Sequence, residues 1–172
     1  MGMDQPPTQP PMGGSKPPDF GEMGDKLKAA QGPDRLLLIA GVLFLIATFL
    51  PWWRVRVAGF GAASENAWGV GGLGVLAALF GLATLVFAAA AITGALKPNP
   101  SFGLMALALA GGTLLFTLLR FLFKPGGSAS TAAEALSRGA IKISRGIGLW
   151  GGIVFAILMA IAAFQKYQAS NG

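Results

Sequence analysis

Residues 147–164 of the chain read IGLWGGIVFAILMAIAAF. This stretch contains no charge and is long enough for a transmembrane helix. Small residues recur at every fourth position: Gly148, Gly152, Ala156 and Ala160. Positions four apart lie on nearly the same face of a helix, so this ridge lets another helix backbone approach closely. The spacing predicts a membrane helix that packs into a bundle.

Three further apolar segments precede this one. They cover about residues 36–53, 70–96 and 102–123. Charged residues make up only 12% of the chain and lie mostly between or outside the segments, because hydrocarbon excludes charge. We therefore predict an all-α membrane protein, a four-transmembrane-helix bundle within residues 35–166.

Short flanking regions complete the predicted organisation. Residues 1–34 form a Pro-rich tail with a possible interfacial helix, and residues 167–172 form a polar tail. The tail lacks the apolar core of a cleavable signal peptide, so the first span is expected to act as an uncleaved insertion signal.

Further pairs of small residues lie in the second and third segments. They are Gly74 with Ala78, Ala77 with Gly81, and Ala108 with Gly112. Such pairs indicate close helix packing, either within the chain or between subunits.

The first loop has a different pattern. Residues 54–57 alternate basic and β-branched residues, and Gly59 and Gly61 follow. Alternation with a period of two, bounded by glycine, predicts a short strand that forms a hairpin-like cap.

The third loop is predicted to contain an amphipathic basic helix over residues 131–145. Thr131 and Glu134 have the spacing of a capping box. Three basic residues, Arg138, Lys142 and Arg145, follow at helical steps on one face. We expect this face to lie on anionic headgroups.

The ends of the segments carry residues typical of the membrane interface. Trp52, Trp53 and Trp68 are predicted to form an aromatic belt, with a ligand or partner surface as the alternative for the Trp52–Trp53 pair. Arg120 and Lys124 are predicted to reach headgroups, with gating or ligand binding as the alternative for Arg120.

The outline of four spans with Trp residues beside the first extramembrane loop resembles the claudin-type tetraspan arrangement. This chain has no cysteine, so it lacks the paired cysteines of that family's loop, and its loop is shorter. The resemblance therefore implies the four-span outline and no function.

Composition argues against catalysis. The chain has neither His nor Cys, and Glu65 and Glu134 are the only acids beyond the amino-terminal region. No phosphate-binding loop or metal signature is present, so we predict no catalytic, cofactor or metal site and no enzyme. Ion-coupled transport is disfavoured because the span centres lack Asp, Glu and His.

Two functional classes remain. The first is a structural, accessory or self-assembling subunit that uses its small-residue helix faces, as a homo-oligomer or within a larger membrane complex. The alternative is an oligomeric pore or lipid-handling module with Arg54, Arg56 and Arg120 as a basic rim. The net charge of +6 is attributed to contacts with membrane lipids, and no nucleic acid partner is expected.

Orientation is nearly balanced, because basic residues are divided almost evenly between the two sides. We predict a multi-pass protein with both termini in the cytoplasm. The Ala-, Gly- and Pro-rich composition favours a bacterial inner membrane.

Overall fold

The computed structural model describes residues 21, 24–25, 28, 30, 32–96, 101–125, 137 and 140–171. Four long helices lie within these ranges: α1 (Gly32–Phe49), α2 (Gly72–Thr93), α3 (Ser101–Leu122) and α4 (Ile147–Asn171). Each is long and apolar enough to cross a membrane, which confirms the predicted four-span helical membrane fold. The Pro-rich tail and most of the possible interfacial helix lie outside the described residues.

The first helix is displaced from its predicted segment. It begins at Gly32, and Asp34 lies inside its first turn. It ends at Phe49 and not at Trp53, because Pro51 disfavours helical geometry in the residue before it.

The other helix ends also differ from the prediction. Helix α2 is shorter than segment 70–96, since Gly71 and Gly94 adopt positive φ angles of 93° and 76° at its two ends. Helix α4 continues through residues 167–171, which had been predicted as a polar tail.

Three short strands form an antiparallel sheet with the order β2-β1-β3. They are β1 (Trp53–Val57), β2 (Gly61–Glu65) and β3 (Ile141–Arg145). The β1–β2 pair confirms the predicted hairpin, whose turn uses positive φ angles at Gly59 and Gly61. The third strand joins the sheet from the loop that precedes α4.

The predicted amphipathic helix is wrong over residues 141–145, which form β3. Ile141 and Ile143 alternate with Lys142 and Ser144, and this period of two suits a strand with one half-buried side. Pairing with β1 provides the partner that the strand needs. Residues 131–136 and Arg138 lie outside the described residues.

The four helices pack so that α1 contacts α2 and α4, and α3 contacts the same two helices. Phe44 is fully buried at the centre of this arrangement. The hydroxyl oxygens of Thr84 on α2 and Thr113 on α3 lie 3.5 Å apart, and each hydroxyl also donates to a carbonyl of its own helix. Among the described residues of the helices, the buried polar side chains are Arg120 near the end of α3 and four threonines, each of which donates to a carbonyl of its own helix: Thr48, Thr84, Thr113 and Thr117.

Large aliphatic side chains cover the outside of the helices. On each helix at least one is more than half exposed: Ile46, Val86, Leu104 and Val154. A surface of this composition suits contact with lipid acyl chains, in agreement with the membrane assignment.

An ion pair between Lys166 and Asp34 connects α4 to the start of α1 at the end of the bundle opposite the sheet. Both side chains are mostly buried, at 17% and 20% exposure. We expect Asp34→Asn and Lys166→Gln each to lower the free energy of unfolding by about 1–2 kcal/mol. The double variant should lose less than the sum, because the two residues act through one contact.

Denaturation in mixed detergent micelles, followed by circular dichroism, measures this cycle. Additive losses would contradict a direct interaction between Asp34 and Lys166.

Candidate functional site

The sheet sits on the end of the bundle where α1 and α3 end and α4 begins. Backbone hydrogen bonds hold this junction: Gly146 N–H donates to Trp52 O at 2.7 Å, and Gly148 N–H donates to Pro51 O at 2.9 Å. A Cβ atom at Gly146 would lie 2.1 Å from Pro51 O. Only glycine permits this approach, so the start of α4 is fixed against the turn that follows α1.

Trp52 fills the space between that turn and α4. Its side chain is fully buried, and its Nε1–H donates to Ala47 O at 2.9 Å. A Cβ atom at Gly148 would lie 2.7 Å from Cδ1 of this indole, and one at Gly152 would lie 3.3 Å from its Cζ2. The ridge of α4 therefore receives the Trp52 side chain and the end of α1.

Three of the four basic residues of the sheet, Arg54, Arg56 and Lys142, share one face. Arg56 lies directly opposite Lys142, and Arg54 lies directly opposite Ser144. Residues opposite each other on neighbouring strands project to the same side of a sheet. All four are exposed. Among the described residues, no carboxylate pairs with these three cations.

An open groove of about 550 Å³ lies at the tip of the sheet, between the β1–β2 turn and the start of β3. Arg56 and Lys142 both line it, together with backbone and small side chains such as Gly59 and Ala140. Apolar atoms from residues such as Val57 and Ala62 make up most of this lining, and Arg56 and Lys142 are its contacts for an anionic group.

Arg120 lies beneath the base of the sheet. Only 4% of its surface is exposed, and its Nη1 donates to Phe123 O at 3.3 Å. Its Nε and Nη2 are buried without a hydrogen-bond partner. The prediction that the Arg120 side chain extends to the protein surface is therefore wrong, because the sheet covers the end of α3.

The indole of Trp53 has two guanidinium groups near it, those of Arg120 and Arg145. The Arg120 Cζ atom lies 5.6 Å from the ring centroid of Trp53, whose Nε1–H is also buried and without a partner. Arg145 Cζ lies 5.9 Å from the same ring and 4.2 Å from the Phe121 ring. Arg145 also donates from Nε and Nη2 to Phe121 O, each at 3.2 Å. The result is two cations and several free donors around one indole.

Glu65 is the acid closest to Trp53 in the strand register, and its carboxylate points away from Arg120 and Arg145. Glu65 is the cross-strand neighbour of Trp53, but its carboxylate lies beside Gly69: a Cβ atom there would be 2.1 Å from Glu65 Oε2. In the described part of the chain, Arg120 and Arg145 therefore have no carboxylate counter-ion.

The structure buries some of the predicted interfacial residues and leaves others partly or fully exposed. Trp52 and Trp53 are buried, which contradicts an aromatic belt at these positions, because Pro51 turns the chain back over the bundle. Trp68 is half-buried and donates from Nε1 to Thr48 Oγ1 at 3.2 Å. Lys142 is exposed on the sheet, and Lys124 is half-buried after α3.

The predicted packing residues lie mostly inside the chain. A Cβ atom would meet Phe44 at Gly81, Phe80 at Gly112 and the Ala67 carbonyl at Gly74, each at 2.4 Å. Fully buried alanines occupy three more of these positions: Ala77, Ala78 and Ala156. Ala160 is half-buried, and Ala108 is exposed, so the described helices of this chain do not cover it.

Sequence reasoning missed the neighbourhood of Trp53, Arg120 and Arg145. These residues belong to three segments, and the pairing of β1 with β3 brings them together. The alternation of residues 141–145 was the available signal, because it allows a strand as well as a helix.

Four apolar spans with a basic sheet on one end define a polytopic helical membrane protein. No protein-family model matches the chain, and no curated protein or solved structure matches it significantly.

Proposed function

We propose that this chain is a non-enzymatic accessory protein of a cell membrane, and that it binds anionic phospholipid headgroups at its sheet end. The observation that carries the proposal is the Arg56–Lys142 pair. Like charges directly opposite each other destabilise a sheet, and an anion between them removes that repulsion.

The distribution of charge supports the same conclusion. Besides this pair, the sheet end has Arg54, Arg120 and Arg145, with Glu65 as the acid of the described sheet. Each basic residue near an anionic membrane surface contributes about 1 kcal/mol of attraction. A cluster of cations next to the membrane boundary is therefore suited to anionic lipids.

The non-enzymatic part of the proposal follows from the available groups. Within the described residues, no cluster of three potential metal-binding side chains occurs. Asp34 is paired with Lys166, and Glu65 lies in an exposed position without a neighbouring acid or base. A general base, a nucleophile and an orienting group are not found together there.

Self-assembly and membership of a larger membrane complex stay predictions. The small-residue positions offer them little support, since side chains of the same chain fill most of these positions. The exposed helix surface consists of large aliphatic side chains that suit lipid. We therefore base the proposed accessory role on the sheet and not on the helix surfaces.

A pore has less support than lipid binding. A conducting path needs a polar lining, but Thr84, Thr113 and Thr117 each donate to a carbonyl of their own helix and are fully buried. Of the predicted alternative, an oligomeric pore or a lipid-handling module, we therefore retain lipid handling. We further propose a bacterial inner membrane, with both termini in the cytoplasm, so that the sheet end contacts anionic phospholipid in the periplasmic leaflet.

The test compares two double variants of the full, delipidated chain by native mass spectrometry. R56Q/K142Q should bind phosphatidylglycerol about 5- to 10-fold more weakly than the unmodified protein, while phosphatidylcholine binding stays constant. K28Q/R35Q removes the same charge from the opposite end and should leave the preference unchanged.

Equal affinities of the unmodified chain for the two lipids would contradict the proposal. Equal losses in both variants would show that net charge, and not the sheet face, determines binding.

A further inference from the structure

We propose that Arg120, Trp53 and Arg145 form a binding site for a phosphate group, supplied by an anionic phospholipid at the junction of the sheet and the bundle. This inference rests on the proposed lipid-binding function and adds a specific site, distinct from the exposed sheet face. It begins from the unpartnered donors of Arg120 and Trp53.

The free groups of Arg120 have the geometry of an oxyanion receptor. Nε and Nη2 lie on one edge of the guanidinium, and both are buried without a partner. This edge can donate two parallel hydrogen bonds to two oxygens of a phosphate or carboxylate. The third nitrogen, Nη1, already donates to Phe123 O and holds the side chain in place.

Trp53 contributes a third donor. Its Nε1–H is buried and unpartnered, and its ring lies 5.6 Å from the Arg120 guanidinium carbon. The ring face partly compensates the buried charge. The ring face does not satisfy the N–H groups of Arg120 Nε and Nη2, whereas buried donors normally have a hydrogen-bond acceptor. An oxygen acceptor between these side chains would satisfy both.

Arg145 is the exposed member of the cluster, whereas Arg120 and Trp53 are buried. Its guanidinium lies over Phe121 and near Trp53, and two of its nitrogens bond to Phe121 O. That carbonyl is therefore occupied and turned away from the proposed anion. Two cations without a described carboxylate favour the more highly charged phosphate over a carboxylate.

The depth of the site indicates a lipid as the source. Arg120 is two residues from Leu122, where α3 ends, so it lies within one turn of the end of a span. Headgroup phosphates lie at this boundary between hydrocarbon and water. Basic pockets between transmembrane helices bind anionic headgroups at the same level.

The first test uses two lipids that differ only in the phosphate, dioleoyl phosphatidic acid and dioleoylglycerol, with the full delipidated chain in neutral detergent. Native mass spectrometry should show at least about tenfold tighter binding of the phosphatidic acid. Arg120→Met should lose most of this difference, and Trp53→Phe, which keeps an aromatic side chain but removes the indole N–H, should lose about threefold. Arg35→Met, the same change at the opposite end, should bind normally.

The thermal unfolding midpoint distinguishes an arginine that binds phosphate from one that only stabilises the fold. Without lipid, Arg120→Met should be as stable as the unmodified protein or more stable, since it replaces an unpartnered buried charge by an apolar chain. Phosphatidic acid should raise the unfolding midpoint of the unmodified protein and leave that of Arg120→Met unchanged. If Arg120→Met does not fold, Trp53→Phe provides the test. A normal affinity of Trp53→Phe for phosphatidic acid would then overturn the site.

The outcomes separate the two proposals. Normal binding by Arg120→Met together with weak binding by R56Q/K142Q would overturn this site and keep the proposed function. No difference between the two lipids in the unmodified chain, together with no stabilisation by inorganic phosphate, would overturn both. Arg120-dependent stabilisation by inorganic phosphate, again with no difference between the two lipids, would keep a phosphate site and overturn the lipid source.

Discussion

Replacing Trp52 by alanine is expected to lower the free energy of unfolding by about 3–5 kcal/mol. The indole is fully buried between the Pro51 turn and the glycine ridge of α4. Its removal leaves a cavity that the rigid helix ends cannot close, and it deletes the hydrogen bond to Ala47 O. Denaturant titration in mixed micelles, followed by circular dichroism, measures the loss.

Trp150→Ala is the matched control. This tryptophan is 53% exposed on the outside of α4 and packs edge-on against Phe121. Its truncation should cost less than half as much as that of Trp52. Equal losses would mean that Trp52 belongs to the membrane interface, as the sequence suggested, and not to the core.

Gly148→Ala is expected to lower the free energy of unfolding by about 2–3 kcal/mol, because it overpacks a junction made of backbone. The new methyl group would lie 2.7 Å from Leu50 O and 2.9 Å from Ala47 O. Backbone at the end of α1 cannot yield as a flexible side chain can. The same titration measures the effect.

Gly151→Ala tests whether this loss is specific. It lies one turn further along α4, and its nearest neighbour would be Phe155 Cε2, at an ordinary 3.6 Å. We expect little change, or a gain of up to about 1 kcal/mol from the higher helix propensity of alanine. A large loss at Gly151, or none at Gly148, would contradict the described packing of α4.

The spans were predictable because hydrocarbon imposes a long, uncharged run on any helix that crosses it. The α4 run of 147–164 lies wholly inside its helix, and only the helix ends moved. The ends depend on local geometry such as the positive φ angle at Gly94. The β1–β2 hairpin was also predictable, since its alternation and its glycines are adjacent in sequence.

The third strand was not predictable in the same way. Residues 141–145 carry apolar and basic residues that suit either a strand or one turn and a half of helix. The choice depends on β1, more than eighty residues earlier in the chain, which provides the hydrogen-bonding partners. The local sequence pattern of residues 141–145 carries no information about a partner strand so far away in the chain.

The positions of Trp52, Trp53 and Arg120 follow from this missing strand. Interfacial side chains were expected at the ends of spans, where water and lipid meet. The sheet covers that end of the bundle and converts these positions into buried ones. The small-residue ridge was correctly linked to close approach, but an indole and a chain turn occupy it where a helix was expected.

The most direct test of the central claim, that the sheet end binds anionic phospholipid, uses the position of Trp150. This side chain is exposed in the first turn of α4 and contacts Phe121, on which Arg145 lies. Its fluorescence is therefore a local probe of lipid beside the basic end. Trp150→Phe measures the background from the other tryptophans.

The measurement is quenching by brominated phosphatidylglycerol, compared with brominated phosphatidylcholine, in bilayers that contain equal amounts of the two lipids. We expect the Trp150-dependent signal to be quenched several-fold more effectively by the anionic lipid, and the preference to shrink in R56Q/K142Q. Equal quenching by the two lipids would contradict the account.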